Sequence, residues 1–264
     1  MENLVLRAYF SDNVLKKHSH YHDCHQIIFV TKGKAQFCVN EATYDADEGS
    51  VMIFSRYENH SINICSDEYE RYVLYIHPSA DVRQNKTYAI FSNRPAGFNN
   101  LINVADNRTQ FKELFAQITN EFNHPSKMSE DMLQLLVDQL LILICRRLPD
   151  EILSFDEDDF ETVADVQRRF EKECYKRYTL EELAKEYNIS PSSLSHRFKR
   201  ITGSSVMGYL LSCRIATAKK YLSKTNIGIG EIVERCGFSD NSNFSRTFKN
   251  VCGMSPSSFR KKYK

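Results

Sequence analysis

The sequence predicts a two-domain α+β protein: an N-terminal β-barrel with two packing helices, followed by an all-α domain built on a double helix-turn-helix. Three observations carry this. Short strand-like runs separated by turn residues fill positions 4–77. A helix-turn-helix pattern occurs twice between Leu180 and Gly253. Charge divides unevenly: residues 1–158 hold 15 Lys+Arg against 23 Asp+Glu, a balance of −8, whereas residues 159–264 hold 20 against 11, a balance of +9. A basic module for a polyanion is joined to an acidic module with another task.

In chain order, Leu4–Phe10, Gln26–Val30, Lys34–Val39, Ser50–Phe54, Ser61–Cys65 and Arg71–Ile76 are rich in β-branched and aromatic residues. Turn chemistry such as Thr31-Lys-Gly33 and Asp47-Glu-Gly49 separates them. Regular short strands of this kind suit a small barrel or sandwich. Asp81 to Asp106 is poorly patterned, with turn residues at Arg94-Pro95-Ala-Gly97 and a closing strand expected at Leu101–Val104. Thr109–Phe122 reads as an amphipathic helix through Phe111, Leu114, Phe115, Ile118 and Phe122. Glu130–Arg147 is apolar nearly all round, which implies burial on two sides. One side would cover the barrel; the other suits either a subunit contact or a second intramolecular surface. An acidic stretch at residues 149–159 precedes the basic module, whose helix Glu161–Tyr175 presents Val163, Val166, Phe170 and Cys174.

In the repeat, Leu180, Leu183, Ala184 and Ile189 match Ile229, Ile232, Val233 and Phe238 at an offset of 49, while Leu194, Phe198, Lys199 and Gly203 match Phe244, Phe248, Lys249 and Gly253 at 50. One residue is inserted at the second turn. Thr179 and Glu182 form a capping box for the first helix, and Ser190-Pro191 suits the start of the next. The two motifs span about residues 180–201 and 229–252, linked by a long helix over Ser205–Ser223. Each second helix has a polar and cationic outer face without carboxylates: Ser192, Ser195, His196, Lys199 and Arg200 in one, Ser242, Asn243, Ser245, Arg246 and Lys249 in the other. Such faces fit the DNA major groove, with Arg, Asn and Ser on base edges and Lys on phosphates. A solvated basic face is the plainer alternative, and its duplication argues against it.

Ile229, Glu231, Ile232, Gly237, Phe238, Ser239, Asp240, Phe244, Arg246, Phe248, Lys249, Gly253, Pro256, Phe259 and Arg260 stand in an order that resembles the signature of AraC/XylS-type transcription regulators. The resemblance covers roughly Phe160 to Lys264. It implies that the second helix of each unit contacts bases, through Ser192, Ser195 and His196 in the first and Ser242, Asn243 and Arg246 in the second. Asn243 stands where an aromatic is common and Val206 where a larger apolar residue is common. Gly228 and Gly230 are expected inside the second unit's first helix, each costing about 1 kcal/mol relative to Ala.

His18-x-His20-x-His22-x-x-x-Gln26, followed by Gly33, Gly49 and His60, resembles the cupin-type sensory barrel found ahead of this DNA-binding module. His20 and His22 are expected on one strand face, with His60 approaching from a later strand. These imidazoles and Gln26 could hydrogen-bond a polar effector such as a sugar, hold a divalent metal, or lie on the surface. A neutral amide at Gln26, where an anionic ligand is expected, favours the ligand-polarising role, so neither metal nor cofactor is expected.

The resulting expectation is a ligand-sensing and dimerising domain over residues 1–148, an acidic linker over 149–159 and a DNA-binding domain over 160–264. The chain would be a cytoplasmic, homodimeric activator that binds promoter DNA under a small-molecule effector and works with RNA polymerase. A regulator whose barrel only dimerises, and a metal-dependent cupin enzyme carrying a DNA-binding module, are the alternatives. The longest apolar tract, Leu133 to Cys145, is broken by Asp138 and Gln139 and is too short to span a bilayer. No signal-peptide pattern opens the chain. Eight scattered cysteines without a CxxC pair suit reduced thiols.

Overall fold

The computed structural model describes residues 3–13, 17–39, 42–77, 86–92, 98–149 and 157–264. Residues 150–156 of the acidic stretch and the Arg94–Gly97 turn fall outside these. The chain divides into two compact units, Met1–Phe160 with Arg200–Gly203, and Glu161–Lys199 with Ser204–Lys264.

The first unit holds two antiparallel sheets. Strands β1 (Val5–Ser11), β3 (His25–Lys32), β6 (Ser50–Phe54), β8 (Glu70–Ile76) and β9 (Leu101–Asn103) form one, in the order β1-β8-β3-β6-β9. Strands β2 (Lys17–His20), β4 (Ala35–Val39), β5 (Ala42–Ala46) and β7 (His60–Ile64) form the other, in the order β2-β7-β4-β5. The pleat of β3 sorts its side chains to two cores. Ile28 and Val30 pack with Phe37, Val39, Phe54 and Ile62 from the strands. Ile27 and Phe29 pack on the opposite face against helices α2 (Arg108–Asn123) and α3 (Ser129–Cys145). Burial on both faces explains why β3 and β6 read as unbroken apolar runs rather than alternations.

Strands β2 and β5 escape the sequence pattern, as does the short helix α1 (Ala89–Ser92). β5 is an edge strand reading Ala-Thr-Tyr-Asp-Ala whose residues are mostly exposed, so it carries no apolar alternation. Helix α3 buries Val137, Leu140, Leu141 and Ile144. On its outer side Met132, Leu135 and Ile142 stay 47%, 65% and 41% exposed, as does Met128 just before the helix.

The second unit is helical: α4 (Glu157–Glu173), α5 (Leu180–Glu186), α6 (Pro191–Thr202), α7 (Val206–Lys224), α8 (Ile229–Arg235), α9 (Asn241–Cys252) and α10 (Pro256–Tyr263). The repeat is closely kept. α5 and α8 have 7 residues each, α6 and α9 have 12 each. Phe170 of α4 packs on Phe198 of α6, and Phe198 on Tyr209 of α7. Phe248 of α9 meets Phe259 of α10 in the same way. The duplication reaches further than the sequence pattern suggested. Gly203 and Gly253 both take left-handed φ values, 71° and 70°. Ser205 and Ser255 then both cap the following helix.

One expectation is corrected. Gly228 is not inside α8 but is its N-cap, in extended conformation, and Gly230 is the second helical residue. The helix therefore carries one glycine rather than two, and in its first turn, where the propensity cost is smaller than mid-helix.

Candidate nucleic-acid interface and barrel pocket

Each of the two second helices is started by a side-chain cap. Ser190 Oγ accepts from the Ser193 amide at 3.1 Å, and Asp240 Oδ1 from the Asn243 amide at 2.7 Å. Burial of Leu194 and Phe198 in α6, and of Phe244 and Phe248 in α9, fixes the rotation of both helices. The outward residues follow from that rotation. Ser192, His196 and Lys199 of α6 are exposed, and so are Ser242, Arg246 and Lys249 of α9. His196 and Arg246 occupy equivalent positions, as do Lys199 and Lys249. Ser195 is half-buried.

Two expected contact residues are otherwise engaged. Arg200 pairs with Asp159 at 2.7 Å, with side chains only 26% and 15% exposed. Asn243 is half-buried, and its amide bonds Ser239 Oγ and accepts from Thr247 Oγ1, each at 3.4 Å. The exposed Ser245 and Asn250 complete the outer face of α9 instead.

In the barrel, β2 ends at His20, and His22 lies in the connection to β3, so the two are not on one strand face. Their rings nevertheless meet, with centroids 4.9 Å apart. β2 pairs with β7 so that His20 faces His60, and the His60 ring lies 4.6 Å from His20 and 5.4 Å from His22. One ring nitrogen from each of the three lies within 4.8 Å of the others. The His18 side chain falls outside the described residues. His25, four residues from Phe29 on β3, is structural: its Nδ1 accepts from the Arg56 amide at 3.2 Å, and its ring stacks on Phe91.

Gln26 joins His20 and His60 in lining a small cavity with Tyr9, Phe37 and Arg71. Its free volume is about 10 Å³, room for about one water molecule. Arg71 was missed in the sequence, although a cation at the start of an apolar strand was a usable signal. It is 4% exposed and donates to the Asn13 carbonyl at 3.0 Å. Cys24, nearby in sequence, is buried, which pushes its thiol up to about 12.

A barrel pocket joined to paired acid-free helices defines a DNA-binding transcription regulator with a ligand-binding domain, and comparison with known proteins agrees. Residues 4–136 match the AraC-like ligand binding domain, and residues 183–262 match a helix-turn-helix domain. The chain belongs to the AraC family. It is 24% identical to the transcriptional activator RhaR of Pectobacterium atrosepticum over 247 residues, 92% of this chain and 86% of that one. RhaR of an Enterobacter strain is 25% identical, covering 95% and 89%. The fold is that of ToxT from Vibrio cholerae, at a TM-score of 0.65 and 15% identity over 98% of each chain. ToxT has also been solved bound to an unsaturated fatty acid, at a TM-score of 0.64 and 16% identity over 98% and 95% of the two chains. Among the described residues no helix is long and apolar enough to cross a membrane.

Proposed function

We propose that this chain is an activator that binds an asymmetric promoter site through α6 and α9 and answers to a small polar molecule in the barrel. The observation that carries the DNA reading is the pairing of exposed His196 with Arg246, and of Lys199 with Lys249, on helices that share one frame. Ser192, Ser195, His196, Ser242 and Arg246 serve base edges; Lys199 and Lys249 serve phosphates. Asn243 and Arg200 belong to the same surfaces but act mainly in holding them. Recognition helices of this kind enter successive major-groove segments about 34 Å apart. RhaR is named an activator, which supports the same sign of regulation here.

Residues 1–148 sense and dimerise, 149–159 link, and 160–264 bind DNA. The homodimer contact is the exposed outer side of α3, where Met132, Leu135 and Ile142 recur on one face. RNA polymerase is the downstream partner, the setting is cytoplasmic, and no catalytic step is assigned. Effector binding falls to His20, His22, Gln26 and His60, and regulation requires that the effector favour one state of the regulator over another. A second reading has an observation in its favour: a cavity of about 10 Å³ does not admit a sugar without opening, which suits a barrel that only dimerises.

Titrating the purified chain onto its own upstream DNA across a range of salt, with and without polar metabolites, tests both readings. Sequence-dependent binding that one compound alters supports the effector-controlled activator. Specific binding that no compound alters leaves the dimerising barrel, and binding without sequence preference overturns the assignment of α6 and α9.

A further inference from the structure

We propose that the cleft between the sheet and the start of α2 binds a free amino acid, recognised as a zwitterion through Thr31, Lys112 and Glu113. The site lies on the helix-covered face of β3, opposite the barrel pocket, and does not depend on an effector entering that pocket.

A β-bulge is the first ground. β3 pairs with β8 through Val30 and Arg71 and next through Lys32 and Glu70, so Thr31 is an extra residue on its strand. Bulges of this kind re-aim a side chain. Val30 packs in the core between the sheets, whereas Thr31 lines the cleft with Tyr72 and the first turns of α2. Thr31 is 7% exposed, and its Oγ1 has no hydrogen-bond partner among the described residues. A buried hydroxyl left unmet is costly, and valine would fill nearly the same space without that cost. A ligand that meets the hydroxyl accounts for it.

Charge is the second ground. Arg108 and Lys112 stand one turn apart on α2 and both line the cleft, as does Glu113. Arg108 is tied to Glu48 at 2.7 Å. Lys112 and Glu113 have no ion-pair partner among the described residues. The lining therefore sums to zero, two cations against two carboxylates, with one charge of each sign left unpaired. An anion would be repelled by Glu48 and Glu113, and a cation by Arg108 and Lys112. A neutral polyol would meet the hydroxyl and leave both free charges unmatched. A molecule that carries both charges complements the whole lining.

Shape is the third. The cleft holds about 490 Å³, within the roughly 300–1,000 Å³ of sites that take small molecules, against about 10 Å³ for the barrel cavity. One wall is the half-buried ring of Tyr72, held by stacking on Phe115. The α-carboxylate falls to Lys112 and the Thr31 hydroxyl, the ammonium to Glu113, and a large apolar or aromatic side chain to Tyr72.

The full chain would be screened against the twenty amino acids by thermal shift, and the hits titrated by calorimetry. The expected result is one equivalent of an amino acid with a large side chain, bound more tightly than its matching amine, its matching carboxylic acid or a polyol. Thr31→Val, Lys112→Gln and Glu113→Gln should each lose affinity by about 10-fold or more, since each removes a bond to a charged group. Ligand-free Thr31→Val should melt no lower than wild type, because the hydroxyl it loses is unmet. A lower melting temperature would show that the hydroxyl is bonded within the protein and would overturn the site. So would no amino-acid binding, equal binding of the amine, the acid or the polyol, or unchanged affinity in Lys112→Gln and Glu113→Gln, whose exposed positions leave folding intact. Affinity lost in His20→Gln but kept in Thr31→Val would place the ligand in the barrel instead, which also overturns it. Sequence-specific DNA binding measured without amino acid separates the two conclusions, since its survival when no amino acid binds leaves the regulator standing and removes only the cleft.

Discussion

The two helix-turn-helix units keep the same backbone frame and differ in how they hold and use it. Both turns end their first helix with the same pair of bonds, Asn188 to Lys185 and Ile189 to Ala184 in one, Gly237 to Glu234 and Phe238 to Val233 in the other. Both place a left-handed residue there, Asn188 at φ 54° and Gly237 at φ 73°. The frame is thus preserved where backbone geometry demands it. Contact faces have drifted: His196 stands opposite Arg246, and the ion-paired Arg200 opposite the exposed Asn250. Arg offers a bidentate fork to guanine that His does not, so the second unit is better equipped to read a base.

The largest effect should come from breaking the turn. A Cβ on Gly237 would stand 2.5 Å from the Tyr175 carbonyl oxygen and 2.8 Å from its Cα, both backbone atoms that cannot swing aside. Adding the left-handed penalty, Gly237→Ala should lose about 2–4 kcal/mol in urea unfolding. Asn188→Gly, at the equivalent place in the first unit, should change stability by no more than about 1 kcal/mol, because Asn already tolerates that conformation. Similar losses for the two variants would show that the turns are not equivalent in the way their dihedrals suggest.

Contact faces come next. Arg246→Ala should weaken binding to cognate DNA by about 1–3 kcal/mol and relax the preference at one base, whereas Lys249→Ala should weaken all sequences alike and flatten the salt dependence. His196→Ala should cost less than Arg246→Ala on the same site. Equal losses on cognate and random DNA for Arg246→Ala would sink the base-reading role.

A smaller effect distinguishes the caps. Ser190→Ala should cost about 1 kcal/mol at any pH, since a hydroxyl does not titrate in the accessible range. Asp240 behaves differently. The Asn243 amide and the Ser239 hydroxyl hold its carboxyl below the usual carboxylate range. A folded-state value below the unfolded one means that its contribution is present above the unfolded value and lost as pH falls through the folded one. The gap between wild type and Asp240→Ala should therefore be open at neutral pH and close in acid, while the Ser190→Ala gap stays. Urea melts at both pH values check this.

Why one half of the molecule was legible and the other less so follows from where its signals lie. The helical unit announces itself through local chemistry: Thr179 caps with Glu182, Ser190 precedes Pro191, and apolar residues recur at helical spacing, each requirement met within a few residues. The four helices of the two units, α5, α6, α8 and α9, were readable for that reason, whereas α10 was not read. The barrel depends on pairings between distant residues. β2 and β5 have no apolar alternation of their own and exist because β7 and β4 offer backbone partners. The histidine cluster was readable as a set of residue types, yet not as a geometry, because His22 lies past the end of β2 and reaches the others through the connection. Nor could spacing reveal that Arg200 is held by Asp159, 41 residues away.

The first helices of the two units differ in how they begin, and that difference gives the smallest effect. α5 starts on a complete capping box, with Thr179 and Glu182 satisfying each other's backbone amides. α8 starts on Gly228, which offers no side chain, although Glu231 stands at the position where Glu182 does its part. Gly228 sits at φ −61° and ψ 153°, a conformation open to any residue, and a Cβ there would meet nothing within 4 Å. Gly228→Thr should therefore rebuild the box and stabilise the second unit by a few tenths of a kcal/mol, about the difference between a glycine and a hydroxyl cap. Gly230→Ala, also facing open space, should add up to about 1 kcal/mol through helix propensity and a less free unfolded chain. Glu231 is already paired with Arg235 at 2.6 Å, so the box must compete with that ion pair. If Gly228→Thr gains nothing while Gly228→Thr combined with Arg235→Ala does, the ion pair rather than the missing hydroxyl is what sets the two helix starts apart.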